Sequence, residues 1–169
     1  MINIKIHDFQ KSYDIGKQGE EYIIQYIKSL ENVLYIEDVR EDKVYQNKDI
    51  DIVVTLKNNT KVKVEIKTDT YDTGNIFYET MSCIETNSIG CIEKTQADLI
   101  LYYFINTKEL YIFDTKEYKK WFNNKKYNFT KKKFLNYYNN GTSKYTTEGF
   151  IIPKRYLEGS FTKYIKQAI

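Results

Sequence analysis

The sequence predicts a mixed α/β or α+β domain, with a central mixed sheet flanked by helices. Three observations carry that expectation: an amphipathic helical segment near the start, two segments patterned as β-hairpins, and a Lys- and aromatic-rich final third with helical spacing. At 169 residues the chain fits one domain over 1–169, with a core over about 13–114 and a basic part over 115–169.

Each element follows from a local pattern. From Tyr13 to Leu30, the residues Ile15, Tyr22, Ile23, Tyr26, Ile27 and Leu30 recur at three- and four-residue steps, the spacing of one helix face. Ser12 or Asp14 is placed to cap its start. Val33-Leu34-Tyr35-Ile36 is a short apolar run, followed by a polar loop over 37–48. The β-branched run from Ile50 to Leu56, a turn at Asn58-Asn59 and the strict alternation from Lys61 to Lys67 read as a hairpin. Val62, Val64 and Ile66 fall on its buried side, and Lys61, Lys63, Glu65 and Lys67 on the other.

Further on, 75–79 reads as extended, and 89–96 as holding a short helical turn. Leu99 to Ile105 and Leu110 to Phe113, joined at Asn106-Thr107, form the second hairpin. A helix is expected from Thr115 to Phe122 and another over about Lys131 to Tyr138. A strand over 149–152 and a helical tail from Arg155 complete the reading.

Composition excludes several classes. The opening MINIKIHDFQKSYD lacks the basic-then-apolar layout of a signal peptide, and no run approaches the ~20 apolar residues of a membrane span. Two cysteines, Cys83 and Cys91, are too few for a disulfide framework, and a single histidine leaves no His-rich metal site. A cytoplasmic protein without a membrane partner is expected. Aromatics make up 16% of the chain, 17 of them Tyr, which argues for a packed core.

The net charge of +3 conceals an asymmetry. Residues 1–100 hold 12 Lys/Arg against 18 Asp/Glu, and residues 101–169 hold 14 against 5. A basic part of this kind suits a polyanion. Eight lysines crowd residues 116–133, interleaved with Tyr118, Trp121, Phe122, Tyr127 and Phe129. Lys119, Lys120, Lys125, Lys126, Lys131 and Lys132 are the expected phosphate contacts, with the aromatics turned mostly inward.

The residues that suggest chemistry are Glu20 in the first helix, Asp49 and Asp51 where one strand starts, and Glu65-Ile66-Lys67 in the next. Fourteen positions separate Asp51 from Glu65, the length of two short strands and a tight turn. In an antiparallel hairpin the start of one strand lies beside the end of the next, so both carboxylates reach one edge with Lys67 on the same face. Such a set suits Mg²⁺, which prefers hard oxygen ligands and retains waters.

On these residues the chain resembles the PD-(D/E)XK nuclease superfamily, which has a restriction-endonuclease-like fold. The family's helical Glu is matched within Gly19-Glu20, its first acidic motif by Lys48-Asp49-Ile50-Asp51-Ile52-Val53, and its triplet by Glu65-Ile66-Lys67. Small Holliday-junction-resolvase-like members are the most similar, and the likeness spans about 13–68. Thr73 to Glu79 and Lys94 to Asp98 are similar to stretches in phage-borne relatives. The chain departs from the pattern in having no Pro before the acid, since Lys48 and Ile50 hold those places.

The resemblance implies a Mg²⁺-dependent DNA endonuclease, with Mn²⁺ able to substitute, acting on duplex or branched DNA, often as a homodimer. Asp51, Glu65 and the Ile66 carbonyl would hold the metal, with Asp49 as a helper or second ligand. Lys67 would orient or help deprotonate the attacking water, and Glu20 would bind a metal water or second ion. The products would carry 5′-phosphate and 3′-hydroxyl ends. Glu79, Lys94 and Gln96 are accessory candidates near the metal or phosphate. The rival readings are a catalytically silent nucleic-acid-binding module on the same scaffold and a phage accessory protein. All three core positions are occupied here, which counts against the silent module.

Overall fold

The computed structural model describes residues 7–70, 73–137, 143–157 and 164–169. A two-residue strand, β1 (His7–Asp8), leads into helix α1 (Phe9–Lys28), whose Ile23, Ile24 and Ile27 are buried against a sheet. The helix begins upstream of the expected Ser12 or Asp14 cap. Strand β2 (Val33–Asp38), helix α2 (Lys43–Gln46), β3 (Ile52–Leu56) and β4 (Lys61–Asp69) follow. The Asp42 carboxylate caps α2 by accepting from Val44 N at 2.7 Å, so the expected polar loop holds one helical turn. The β3–β4 turn is as expected, with Asn59 in the left-handed region at φ 64°.

After β4 the chain leaves this sheet. It forms β5 (Asn75–Cys83), β6 (Ser88–Ile89) and the short helix α3 (Cys91–Lys94), then returns as β7 (Leu99–Phe104), parallel to β4. Strand β8 (Glu109–Asp114) closes the second hairpin, and α4 (Thr115–Lys125) starts where the Asp114 carboxylate accepts from Glu117 N at 3.0 Å. Strands β9 (Thr130–Tyr137), β10 (Lys144–Pro153) and β11 (Tyr164–Ala168) follow.

The strands form two sheets, one ordered β11-β8-β7-β4-β3-β2 and the other β1-β9-β10-β5-β6. Each is mixed through one parallel pair, β4 with β7 and β1 with β9. The architecture is α+β. Helix α1 covers one face of the six-stranded sheet, over Ile52, Val54, Val64, Ile66 and Leu101. The opposite face, with Ile100, Tyr102, Phe104, Tyr111 and Phe113, packs with α4 and with Ile76, Tyr78 and Ile152 of the second sheet. Stacked rings join these layers: Tyr78 on Phe122 at 3.6 Å between centroids, and Phe113 on Tyr118 at 4.1 Å. Such pairs add about 0.5–1.5 kcal/mol beyond the area they bury.

The C-terminal third departs from the sequence expectation. The helix expected over about Lys131 to Tyr138 is not formed: residues 131–137 belong to β9 and Tyr138 lies outside the described residues, and within the tail Tyr164–Ala168 pairs with β8 as an edge strand. Lys154–Tyr156 makes one 3-10 turn, and residues 158–163 lie outside the described set. Among the described residues there is thus no helical extension beyond α4 and the 3-10 turns. Residues 130–137 and 144–153 instead supply two strands of the second sheet, beside β5. Among the described residues no helix is long and apolar enough to cross a membrane.

Candidate active site

The site grows from the β3–β4 hairpin. Asp51 immediately precedes β3, and its N–H donates to the Val64 carbonyl at 2.9 Å while its own carbonyl accepts from Val39 N at 3.0 Å. Its Oδ2 accepts from Ile66 N at 2.7 Å, so the side chain extends the strand ladder by one bond. That bond turns the Asp51 carboxylate toward Glu65, and the two carboxyl groups hydrogen-bond each other. Glu65 is 8% exposed in the middle of the sheet, between β3 and β7.

Burial explains the state of this pair. Loss of water pushes the Asp51 carboxyl up to about 6, with the Glu20 charge adding to the rise and the Ile66 N–H opposing it. Burial pushes Glu65 well above the ordinary range too, and the charges of Asp51 and Asp49 reinforce it. Without a cation each of the two acids resists ionising beside the other. A donor set short of positive charge fits a divalent ion. The residues present for that role are Asp51, Glu65 and the backbone of Ile66. Among the described residues no three of His, Cys, Asp and Glu gather into a metal-holding group.

Lys67 lies one pleat beyond Glu65 on the same face, its side chain 30% exposed. Cys91, Glu79 and Glu65 all hold its ammonium well above the usual range against burial. Burial pushes the Cys91 thiol up to about 12, so at neutral pH it is uncharged. The Glu79 carboxylate, with Oε2 at 3.9 Å, and the charge of the acid pair therefore keep Lys67 a cation.

Glu20 approaches from α1. A Cβ built at Gly19 would overlap the Thr68 side chain, so this glycine lets the helix dock tightly on β4. Glu20 is near enough to raise the Asp51 carboxyl, but its Oε2 is bound by Arg40 Nη1 at 3.0 Å. Arg40 also grips Asp38 at 2.6 Å and Glu21 at 3.6 Å. An open cleft of about 530 Å³ runs over this cluster, lined by Tyr13, Lys17, Glu20, Arg40, Gln46 and Asp51 among others. Arg40 was invisible to motif reasoning, because its partners lie on a distant helix and its own strand end.

The remaining candidates separate. Asp49, at φ 45°, accepts at Oδ1 from Lys94 Nζ at 2.8 Å and is not joined to the Asp51–Glu65 hydrogen bond. Thr95 Oγ1 donates to the Asp49 carbonyl at 2.6 Å, and Gln96 N to the Lys48 carbonyl at 2.9 Å. Lys94 and Gln96 thus clamp the turn before Asp51. Glu79 faces Lys67, and Oε1 accepts from Cys91 N at 3.3 Å.

The expected phosphate contacts divide as well. Lys120, Lys125 and Lys132 are exposed. Lys126 donates to Asn123 at 3.3 Å, and Lys131 is paired with Glu148 at 2.5 Å. Lys119 is turned inward, donating to the carbonyls of Glu93 at 3.0 Å and Thr95 at 2.8 Å. Burial lowers its pKa. Its role is to tie α4 to the end of α3. The aromatic expectation holds for Tyr118, Trp121, Phe122 and Phe129, all buried, while Tyr127 is 90% exposed. Comparison with protein-family models, curated proteins and solved structures returned no match.

Proposed function

We propose that the chain is a metal-dependent deoxyribonuclease of the PD-(D/E)XK type, with a restriction-endonuclease-like core. The observation that carries this reading is the hydrogen-bonded Asp51–Glu65 pair with Lys67 one pleat away on the same face. A purely structural role does not account for two buried carboxyls raised by the same loss of water, since such a pair costs stability.

In this reading Asp51, Glu65 and the Ile66 carbonyl hold Mg²⁺, with Mn²⁺ an alternative. The ion would supply Lewis-acid stabilisation of phosphodiester charge and an acidified water. Lys67, kept charged by Glu79, orients the attacking water and offsets charge developing on the phosphate. A lysine held so firmly as a cation is poorly suited to act as the base. Glu20, restrained by Arg40, borders the cleft through which a backbone phosphate would enter. Lys120, Lys125 and Lys132 track DNA from the flank. The products carry 5′-phosphate and 3′-hydroxyl ends.

The test is cleavage of supercoiled plasmid and of a synthetic four-way junction with Mg²⁺, by wild type, Asp51→Ala and Lys67→Ala. Asp51→Ala should lose cleavage and Lys67→Ala should be slowed to a measurable residual rate, with duplex binding kept in both. Residual cutting by Asp51→Ala refutes the assignment.

A second reading is a silent nucleic-acid-binding module, favoured by the absence of a third acid at the pair among the described residues. It predicts salt-dependent DNA binding with no cleavage under any metal.

A further inference from the structure

Glu79 comes from outside the hairpin that carries Asp51, Glu65 and Lys67. It stands on β5, in the other sheet, where β10 places Gly149 opposite it. Its two oxygens are divided between two tasks. Oε1 accepts from the N–H of Cys91, the first residue of α3, at 3.3 Å, and Oε2 lies 3.9 Å from Lys67 Nζ. Space for this arrangement depends on Gly90, where a Cβ would overlap the Glu79 carbonyl and side chain.

The Glu79 side chain is only 13% exposed, so its direction is fixed by packing as well as by the Cys91 bond. Lys67 has a flexible four-carbon stem ending in a compact charge. On its own strand only Glu65 draws that ammonium, and the partners that face it from the other elements are Cys91 and Glu79. We infer that Glu79 is a positioning residue, which holds the Lys67 ammonium beside the acid pair from the opposite sheet and is not itself a metal ligand. The inference rests on the nuclease reading and assigns the second sheet a part in the reaction. A shift of about 1 Å in a catalytic group costs up to roughly 100-fold in rate, which sets the scale of the effect.

The experiment uses the full chain with Mg²⁺ and supercoiled plasmid, comparing wild type, Glu79→Gln, Lys67→Met and the double variant. Gln keeps an oxygen for the Cys91 N–H and removes only the charge facing Lys67. Glu79→Gln should lower kcat by roughly 10- to 100-fold, with KM for DNA and the half-saturating Mg²⁺ concentration unchanged. The double variant should be no slower than Lys67→Met. Wild-type rates in Glu79→Gln, additive losses in the double variant, or a raised Mg²⁺ requirement would each overturn the inference and leave the nuclease reading standing. A wild type that does not cleave overturns both. Where Glu79→Gln melts early, Glu79→Asp provides the second comparison. Higher activity than Glu79→Gln at matched folded fraction supports the role, and equal activity refutes it.

Discussion

Replacing Asp51 by Asn tests whether the acid pair strains the fold. The amide keeps the shape of the carboxyl and an oxygen for the Ile66 N–H, and removes the charge. In the fold the Asp51 carboxyl is pushed from 3.8 to about 6, chiefly by burial. At 1.36 kcal/mol per unit, ionising it costs the metal-free fold about 3 kcal/mol. Below pH 3.8 both folded and unfolded chains are protonated, and the cost is absent. As the pH rises from there, the unfolded chain releases its proton first, so folding loses ground until the full cost is present above about 6. Asn does not titrate. The stability of Asp51→Asn relative to wild type should therefore grow by about 2 kcal/mol between about pH 4.5 and pH 7.5.

Urea denaturation in EDTA at the two pH values measures this difference. Mg²⁺ at ten times its dissociation constant should then raise wild-type stability by about 1.4 kcal/mol and leave the variant unmoved. A difference that stays flat with pH, or an Asn variant that is less stable at the higher pH, would refute the picture of a strained acid pair.

Other perturbations follow from the same geometry. Gly19→Ala should destabilise the chain by about 1–3 kcal/mol in thermal melting, despite a gain of about 1 kcal/mol in helix propensity, because its methyl meets Thr68. Lys119→Met should cost about 1–3 kcal/mol, since the Glu93 and Thr95 carbonyls lose their donor, and leave the salt dependence of DNA binding unchanged. Replacing Lys120, Lys125 and Lys132 together by Gln should do the reverse. The slope of log K against log salt should fall by about 0.9 for each phosphate no longer neutralised, with stability held within about 0.5 kcal/mol. Lys154→Ala should cost about 2 kcal/mol by chemical denaturation, because its ammonium sits 3.7 Å from the Phe104 ring centre and 2.7 Å from Glu109 Oε2.

The parts that were legible are those whose pattern is local. The alternation from Lys61 to Lys67 marks β4 and its faces, and the spacing of Ile23 and Ile27 marks the buried side of α1. The meeting of Asp51 with Glu65 follows from hairpin geometry alone. Residues 130–137 misled because Phe134, Leu135 and Tyr137 also fit helical spacing, while the strand is fixed by its pairing with β10, whose pairing residues lie 7 to 21 positions further along the chain. The tail misled in the same way, since Tyr164–Ala168 takes its conformation from the edge of β8. Arg40 and the inward turn of Lys119 escaped notice because each is defined by partners far off in sequence. A lysine in a basic run gives no local sign of the carbonyls it will find.

The pairing of β5 with β10 has a consequence for synthesis on the ribosome. Asn75 stands opposite Pro153, so β5 gains that neighbour only once a segment far downstream has been made. The hairpin bearing Asp51, Glu65 and Lys67 emerges early. The strand on which Glu79 stands is secured late. A nascent or truncated chain ending before Lys144 would display both acids while lacking the sheet that steadies their lysine. In the nuclease reading, hydrolytic competence then waits on the residues from Lys144 onward, and a chain ending before them is a poor cutter of nearby DNA.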